Sequence, residues 1–339
     1  MDTQEKLLEL ETALKGCHGL FIMTHDNPDP DSLSSAATLR YILAKKFKIR
    51  SKIIYGGIVG RAENKTMVQL LKIPAHPIAG IEIEKYKHFA LVDTQPRTGN
   101  NSLPHSIKPL IVIDHHPIRK TTKANFLDIR ENYGATATIL TEYLLESGLE
   151  IPTSLATALY YGLSSETQHL GRESEAVDRE AYLTLFNYTQ KRILSRIEHP
   201  KLSRDYFSNL SLALRNALTY RNSIVSRLGI VQNPDHVPYI ADLLLQLERI
   251  SWSLAIGEYE DKLLLSVRTT QERANAGKLV QRLVHPKGKA GGHGMIAGGK
   301  IPCENMSPQE ILFLEDELTQ RFIKLVTKQE EVEFKSLLE

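Results

Sequence analysis

Short apolar runs that stop at acids and imidazoles are the main pattern in the first third of the chain. Residues 20–23, 89–92 and 109–113 contain no charged or hydroxyl side chain, and each has the length of one strand. Unbroken apolar runs of this length are typical of strands buried on both faces of a parallel sheet. Helical patterns at residues 32–46 and 63–71 separate them. The alternation predicts an α/β fold with a parallel sheet.

The pattern changes twice further along the chain. Helical spacing of apolar residues dominates from residue 134 to residue 227, and strands and helices then alternate again. A chain of 339 residues is expected to form about two domains. We therefore predict an N-terminal parallel-sheet domain at 1–190, a helical connector at 191–219 and a smaller C-terminal α/β domain at 220–339.

Composition narrows the class of protein. With 42% hydrophobic and 24% charged residues the chain has ample material for globular cores, and its net charge of +2 gives no global attraction to nucleic acid. Cys17 and Cys303 are far apart and form no CxxC motif, which is consistent with a reducing compartment. No apolar run approaches the roughly 18 residues of a membrane span, and the acidic N-terminus is not that of a signal peptide. A cytoplasmic location, with no membrane partner, is expected.

The polar residues that follow the three apolar runs are the candidate site, since ligands bind beyond the carboxyl ends of parallel strands. One acid after a strand is commonly a helix cap, and Asp31 could cap the helix that follows it. Capping does not explain three strands that end only in carboxylates and imidazoles. Nitrogen and oxygen ligands without thiolate suit Mn²⁺, with Mg²⁺ as an alternative, and there are enough for two ions that would activate water against phosphorus. The candidates are His25, Asp29, Asp31, Asp93, Asp114, His115 and His116.

These residues carry a resemblance to a known family. The motif His25-x-x-Pro28-Asp29-x-Asp31, then Asp93, then Asp114-His115-His116, resembles the DHH phosphoesterase superfamily. The superfamily includes exonucleases, hydrolases of short oligonucleotides, phosphatases of 3′,5′-phosphoadenosine (pAp), cyclic-dinucleotide phosphodiesterases and pyrophosphatases. The resemblance implies that His25, Asp29 and Asp31 bind metal, and that Asp93 also binds metal and bridges two ions. It also implies that Asp114 and His115 complete or orient the ligand shell, and that His116 faces the phosphate.

Two positions depart from the family pattern. Ser34-Ser35 stands where relatives often have Gly-Ser, and Gly162-Leu-Ser-Ser-Glu166-Thr167 stands where relatives have a glycine followed by Asp-Thr. Glutamate keeps the charge of the ligand but moves its oxygens outward by one methylene. We expect Glu166 to be a metal ligand; the alternative is an ordinary solvated helix residue.

A glycine-rich stretch marks the candidate substrate site in the second domain. Between Arg268 and Lys300 there are seven Lys or Arg residues and one acid, Glu272. Glycine backbone amides with cationic donors nearby form anion sites. This region resembles the DHH-associated C-terminal domain, although Ala290 replaces a glycine of the family. The resemblance implies that Arg268, Gly291, Gly292 and His293 bind the nucleotide of the substrate.

Together these features predict a Mn²⁺-dependent phosphoesterase that cleaves short oligoribonucleotides, pAp or both. Aromatic residues for stacking a long single strand are scarce near the basic stretch, and no long duplex partner is expected. Two alternatives stay open: a phosphodiesterase of linear or cyclic dinucleotides, and a nucleotide-binding regulator whose site is weakened at Glu166. The oligomeric state is also open, a homodimer included.

Overall fold

The computed structural model describes residues 2–172, 174–329 and 333–338, without the side chain of residue 293. The chain divides into two compact units, Met1–Pro200 and Lys201–Glu339. Within the described residues, every helix is too short or too polar to cross a membrane.

The first unit is built on a six-stranded sheet in which all strands are parallel. Its strand order is β3-β2-β1-β4-β5-β6, so the order reverses direction between β1 and β4. Such a reversal opens a crevice at the carboxyl ends of the two central strands. The strands are β1 (Gly19–Met23), β2 (Arg50–Tyr55), β3 (Ala75–Pro77), β4 (Phe89–Val92), β5 (Ile111–Asp114) and β6 (Phe126–Ile129).

Both faces of the sheet are buried along its central strands, which is why β1, β4 and most of β5 are apolar. Ile22 of β1 packs into the main core with the helices. Its neighbours Phe21 and Met23 point to the opposite face, where Leu103 of a connecting loop helps to cover them. Each large side chain buried in this way contributes about 1.5–3 kcal/mol. The helices of this unit are α1 (Thr3–Ala13), α2 (Pro30–Lys45), α3 (Ala62–Leu71), α4 (Thr136–Glu146), α5 (Thr153–Glu166), α6 (Ala176–Tyr188) and α7 (Lys191–Glu198).

The second unit is built on a seven-stranded mixed sheet with helices on both faces. The order is β11-β12-β10-β9-β8-β7-β13, and β8 and β9 are its parallel pair. One core packs against α8 and α9, and another packs against α10 and α11. The elements are α8 (Arg204–Arg215), β7 (Leu218–Tyr220), β8 (Ser223–Ile230), α9 (His236–Leu244), β9 (Trp252–Tyr259), β10 (Lys262–Thr269), α10 (Ala276–Val284), β11 (Lys289–His293), β12 (Ile296–Pro302), α11 (Pro308–Thr327) and β13 (Lys335–Ser336).

These two units confirm the predicted fold class, a parallel-sheet α/β domain followed by a smaller α/β domain. The predicted connector, 191–219, contains α7 and α8. Helix α7 packs against α3 and α5 of the first unit, and α8 packs against β8 and α9 of the second.

Candidate metal centre and substrate-binding elements

The predicted metal ligands meet where β1, β4 and β5 end. His25 follows β1, Asp93 follows β4, and Asp114 is the last residue of β5. The backbone of Asp93 is left-handed, with φ of 60°. Aspartate tolerates this conformation better than most residues, and strained positions of this kind cluster at functional sites. The turn at Asp93 directs its carboxylate back over the sheet edge.

Asp93 lies between the two histidines. Its Oδ2 is 3.7 Å from Nε2 of His25, and its Oδ1 is 3.6 Å from Nε2 of His115. The Oγ1 hydroxyl of Thr136 donates to Oδ1 at 2.9 Å and fixes the carboxylate. The described residues contain two groups of three ligand atoms that lie within 4.8 Å of one another, and both groups include Asp93. One group adds His25 and Asp29, and the other adds His115 and His116.

The imidazoles of His25 and His115, both candidate metal ligands, are oriented by backbone carbonyls. Nδ1 of His25 is 3.0 Å from the carbonyl of Asp26, and Nδ1 of His115 is 3.1 Å from the carbonyl of Tyr133. A carbonyl can only accept, so each Nδ1 carries a hydrogen, and a lone pair of neutral imidazole is on Nε2. Nε2 of His115 is buried and has no hydrogen-bond partner among the described residues. An orphaned acceptor among carboxylates fits a metal ion, since an ion would supply the missing positive charge.

The charge states of these histidines differ. Burial would lower the pKa of His25, but the carboxylate of Asp29 outweighs it and raises that pKa to about 9. Burial, together with the charge of His116, lowers the pKa of His115 to about 4. One imidazole therefore compensates the acids with a proton when no ion is bound, and the other stays neutral.

Asp29 and Asp31 each have a structural contact as well as a position in the cluster. Asp29 is the N-cap of α2: its Oδ1 accepts from the amide of Ser32 at 2.9 Å, and its Oδ2 is 3.4 Å from Nε2 of His25. The alternative that Asp31 caps its own helix is therefore wrong. Instead its two oxygens accept from the amides of Thr136 and Ala137, at 2.8 and 2.6 Å, at the start of α4.

The buried carboxylate of Asp114 orients His116. Its Oδ1 is 2.8 Å from Nδ1 of His116, and its Oδ2 accepts from Nε2 of Gln95 at 2.8 Å. Burial would raise the pKa of Asp114, but these hydrogen bonds and the charge of His116 lower it. Burial would lower the pKa of His116, but Asp114 raises it. The pair therefore presents a histidine that favours the protonated, hydrogen-donating form.

Glu166 is the last residue of α5 and lies beside the cluster. Burial and the charge of Asp29 raise its pKa, and its Oε1 is 3.4 Å from a guanidinium nitrogen of Arg172. Glu166 is not part of the two groups of closely spaced ligand atoms found in the described residues. Its role as a ligand stays a prediction.

The other departure from the family pattern, Ser34, packs against Gly162. A Cβ on Gly162 would lie 2.9 Å from the carbonyl oxygen of Pro30 and closer still to the hydroxyl of Ser34. The glycine thus lets α5 approach α2 at the turn that carries Asp31. Ser34 occupies the space over the glycine and donates to the Asp31 carbonyl at 3.1 Å.

Several residues with clear positions in this site were not predicted from the sequence. Gln95 is buried; besides Asp114, its Nε2 donates to the carbonyl of Pro117 at 3.2 Å, and its Oε1 accepts from Thr122 at 2.7 Å. It holds the loop after β5 in place. The one available signal for Gln95 was its position two residues after Asp93. The others are Thr136, Arg172 and the carbonyl of Tyr133.

In the second unit, the predicted substrate-binding residues lie on neighbouring strands. Arg268 of β10 is opposite Ile296 of β12, and Ile296 is opposite the backbone of residue 293 in β11. The guanidinium of Arg268 is buried; it bonds to Asp242 and donates to the hydroxyl of Ser266 at 2.8 Å. These contacts hold the guanidinium of Arg268 in one position within the second unit. The side chain of His293 lies outside the described residues.

The glycines of this region allow close packing of backbone. Gly292 has φ of 134°, and a Cβ there would lie 2.5 Å from Ala297 Cα. Gly291 pairs with Gly298 across the hairpin and has open space where a Cβ would be. Helix α10 begins against this hairpin, because the amide of Ala276 donates to the carbonyl of Gly294 at 2.8 Å.

Two protein-family models match this chain. The DHH family, N-terminal domain, matches residues 19–163, and the DHHA1 domain matches residues 221–324. The crystal structure of an exopolyphosphatase-related protein from Bacteroides fragilis covers 95% of this chain and 98% of its own, with a TM-score of 0.75 at 14% identity. This last similarity shows the fold.

Sequence relatives are found among curated proteins. An uncharacterized protein of Methanocaldococcus jannaschii is 35% identical over 319 residues, which are 92% of this chain and 65% of that protein. A manganese-dependent inorganic pyrophosphatase of the same organism is 28% identical over 131 residues, which are 39% of this chain and 40% of the pyrophosphatase. The chain thus spans less than two thirds of the length of these relatives. With its DHH N-terminal domain and its DHHA1 domain, the chain belongs to the DHH phosphoesterase superfamily.

Proposed function

We propose that this protein is a Mn²⁺-dependent phosphoesterase that hydrolyses short oligoribonucleotides, pAp or both to mononucleotides. The observation that carries the proposal is the pair of ligand groups that share Asp93, with an orphaned Nε2 on His115 between carboxylates. Carboxylates and imidazoles without thiolate suit Mn²⁺, and a shared carboxylate suits two ions, with Mg²⁺ as the alternative. The manganese dependence in the printed name of the pyrophosphatase relative also supports this metal.

In this proposal, one set of residues binds metal and another stabilises the phosphate. His25, Asp29, Asp31, Asp93, His115 and Glu166 would hold two ions, which supply positive charge and Lewis acidity for attack of water on phosphorus. His116, held by Asp114 at 2.8 Å, would donate a hydrogen bond to the phosphate as negative charge develops. Gln95 keeps Asp114 in position for this task.

The second unit supports a nucleotide rather than a long strand as substrate. It carries the basic tract, with Arg268 already ordered by Asp242. Residues 262–300 contain no Phe, Tyr or Trp, the residues on which successive bases of long single strands stack. Arg268, Gly291, Gly292 and His293 would therefore bind a small phosphorylated ligand.

A substrate panel with Mn²⁺ tests the proposal. It contains a ribodinucleotide, pAp, a cyclic dinucleotide, inorganic pyrophosphate and a 20-nucleotide RNA. We expect kcat/KM to be highest for the dinucleotide or pAp and lowest for the long RNA. Preference for the cyclic dinucleotide would favour the phosphodiesterase alternative, whereas nucleotide binding without turnover would favour the regulator. Cleavage of pyrophosphate alone would contradict the proposal.

A further inference from the structure

The turn that follows α5 is built from three consecutive residues in the left-handed region. Gln168, His169 and Leu170 have φ of 49°, 56° and 67°, and none is a glycine. This conformation is sterically unfavourable for any residue that has a Cβ. Runs of it persist only where surrounding contacts enforce them, and such segments cluster at functional sites.

Hydrogen bonds among residues 164–172 stabilise this turn. The amide of His169 donates to the carbonyl of Ser164 at 2.8 Å, and the Nδ1 of the same histidine is 2.7 Å from the Ser164 hydroxyl. The amide of Leu170 donates to the hydroxyl of Thr167 at 3.1 Å, and the amide of Arg172 donates to the Thr167 carbonyl at 2.9 Å. The result is that the chain reverses and brings Arg172 back beside Glu166.

The guanidinium of Arg172 is largely shielded from solvent, but few of its N–H donors have an acceptor among the described residues. Its side chain is 15% exposed, and its one ion pair among the described residues is the 3.4 Å contact with Glu166. Hydrogen bonds between guanidinium and carboxylate are usually about 2.7–2.9 Å, so this contact is loose. Nε is buried and has no hydrogen-bond partner in the described part of the chain. A buried N–H donor without an acceptor is unfavourable, so this part of the guanidinium is stabilised if another acceptor joins it.

A phosphate group has the chemistry of an acceptor that the described residues do not offer to Nε of Arg172. Glu166, the partner of Arg172, is close enough to the candidate ligands for the charges of Asp29 and His116 to act on it. Arg172 therefore lies, with Glu166, at one edge of the proposed metal site. A guanidinium is suited to phosphate because two of its N–H groups match two phosphate oxygens.

We propose that Arg172 is a phosphate-binding residue of this site. Its guanidinium donates to a non-bridging oxygen of the phosphate group under attack and exchanges the loose contact with Glu166 for this stronger one. The inference rests on the proposed function, since it places the scissile phosphate at the proposed metal centre. A residue that merely neutralises Glu166 would instead affect metal binding alone.

The test compares Arg172→Gln and Arg172→Lys with Arg179→Gln, an exposed arginine of α6 in the same unit. Two quantities are measured on Mn²⁺-loaded protein: kcat/KM on the best substrate, and the affinity for inorganic phosphate by calorimetry. We expect kcat/KM of Arg172→Gln to fall by about 10²-fold, as for loss of one donor to a developing oxyanion. Phosphate affinity should fall by at least about 10-fold, because a charge-assisted contact is lost. The lysine variant should recover part of both, and Arg179→Gln should match the wild type.

A manganese titration separates phosphate binding from support of Glu166. We expect the Mn²⁺ concentration for half-maximal activity to be unchanged in Arg172→Gln. Full recovery of its activity at high Mn²⁺, or unchanged phosphate affinity, would overturn the proposal. If Arg172→Gln unfolds at the assay temperature, the lysine variant decides by the same two measurements. If the wild type shows no turnover, the proposed function fails, while the phosphate titration still tests Arg172.

Discussion

At the scale of single residues, the site is organised by contacts that fix one polar atom and aim another. His25 and His115 each use Nδ1 on a backbone carbonyl, which leaves Nε2 for the cluster. Asp29 uses one oxygen to cap α2 and turns the other toward His25. Outer contacts of this kind set ligand orientation, and their loss typically costs about 10–100-fold in metal affinity. Backbone groups outside the proposed ligand set therefore orient the side chains that would hold a cation.

Glu166 is the residue whose ligand role can be tested most directly. Glu166→Asp pulls the carboxylate back by one methylene and should raise the Mn²⁺ concentration for half-maximal activity by at least about 10-fold, since a first ligand should cost no less than an outer contact. Glu166→Ala should raise it further. Glu180→Gln, an exposed acid of α6, is the control. If the Mn²⁺ titrations of all four proteins coincide, Glu166 is no ligand.

The limits of sequence reasoning are also visible in single residues. His25, Asp93 and Asp114 were found because polar residues directly after buried strands must gather at one sheet edge. Gln95 and Thr136 were missed because their contacts depend on packing between distant segments, which local patterns do not encode. Arg172 was missed for another reason: the turn that returns it to Glu166 contains left-handed residues without the glycines that would mark it.

At the scale of elements, the site depends on the contact of α2 with α5. Gly162 is a point of close approach, and Asp31 on the facing turn of α2 accepts from two amides of α4. The position of Asp31 thus depends on the packing of three helices. A shift of any of them would move Asp31 relative to Asp93.

Gly162→Ala tests this contact. The added methyl group must displace the backbone at Pro30, so we expect the free energy of unfolding to fall by about 1–3 kcal/mol. We also expect weaker Mn²⁺ binding, because Asp31 moves with α2. Ser34→Ala in the same chain should recover only part of the stability, since the backbone clash remains. Gly298→Ala, where the nearest atom is at 3.6 Å, is the matched control for denaturant unfolding. A Gly162→Ala protein as stable as the wild type would contradict the packing argument.

Helix α11 carries a buried acid that links stability to pH. Glu315 is 4% exposed, and burial, opposed in part by Arg227, raises its pKa to about 7. An unfolded glutamate titrates near pH 4.3, so the folded protein binds the proton more tightly, and this group makes folding less favourable as pH rises from about 4.3 to 7.

We therefore expect Glu315→Gln to raise the free energy of unfolding by about 1–2 kcal/mol at pH 8. Solvent and Arg227 screen the charge of Glu315, which keeps this gain small. The gain should almost disappear near pH 3.5, where the unfolded carboxyl is also largely protonated. Chemical denaturation at both pH values measures it, with the exposed Glu304→Gln as control. An equal gain at both pH values would show that the effect is not protonation.

At the scale of the whole molecule, the chain joins a parallel-sheet unit with the candidate metal ligands to a mixed-sheet unit with the basic stretch. The fold class was predictable because apolar runs of strand length, each ended by polar residues, alternate with longer stretches of helical spacing. The strand order was not, since it depends on contacts between distant segments. The boundaries 1–190, 191–219 and 220–339 stay a prediction; the structure separates its compact units after Pro200.

The variant Asp93→Asn tests whether Asp93 holds metal ions that drive phosphoester hydrolysis. Asparagine keeps the shape and tolerates the left-handed backbone at φ of 60°, so the change removes charge without adding strain. Turnover of the best substrate is measured at saturating Mn²⁺, together with bound Mn²⁺ per chain. We expect turnover to fall by at least about 10³-fold and fewer ions to bind, in a protein that melts like the wild type. Turnover like that of the wild type in metal-saturated Asp93→Asn would contradict this role of Asp93.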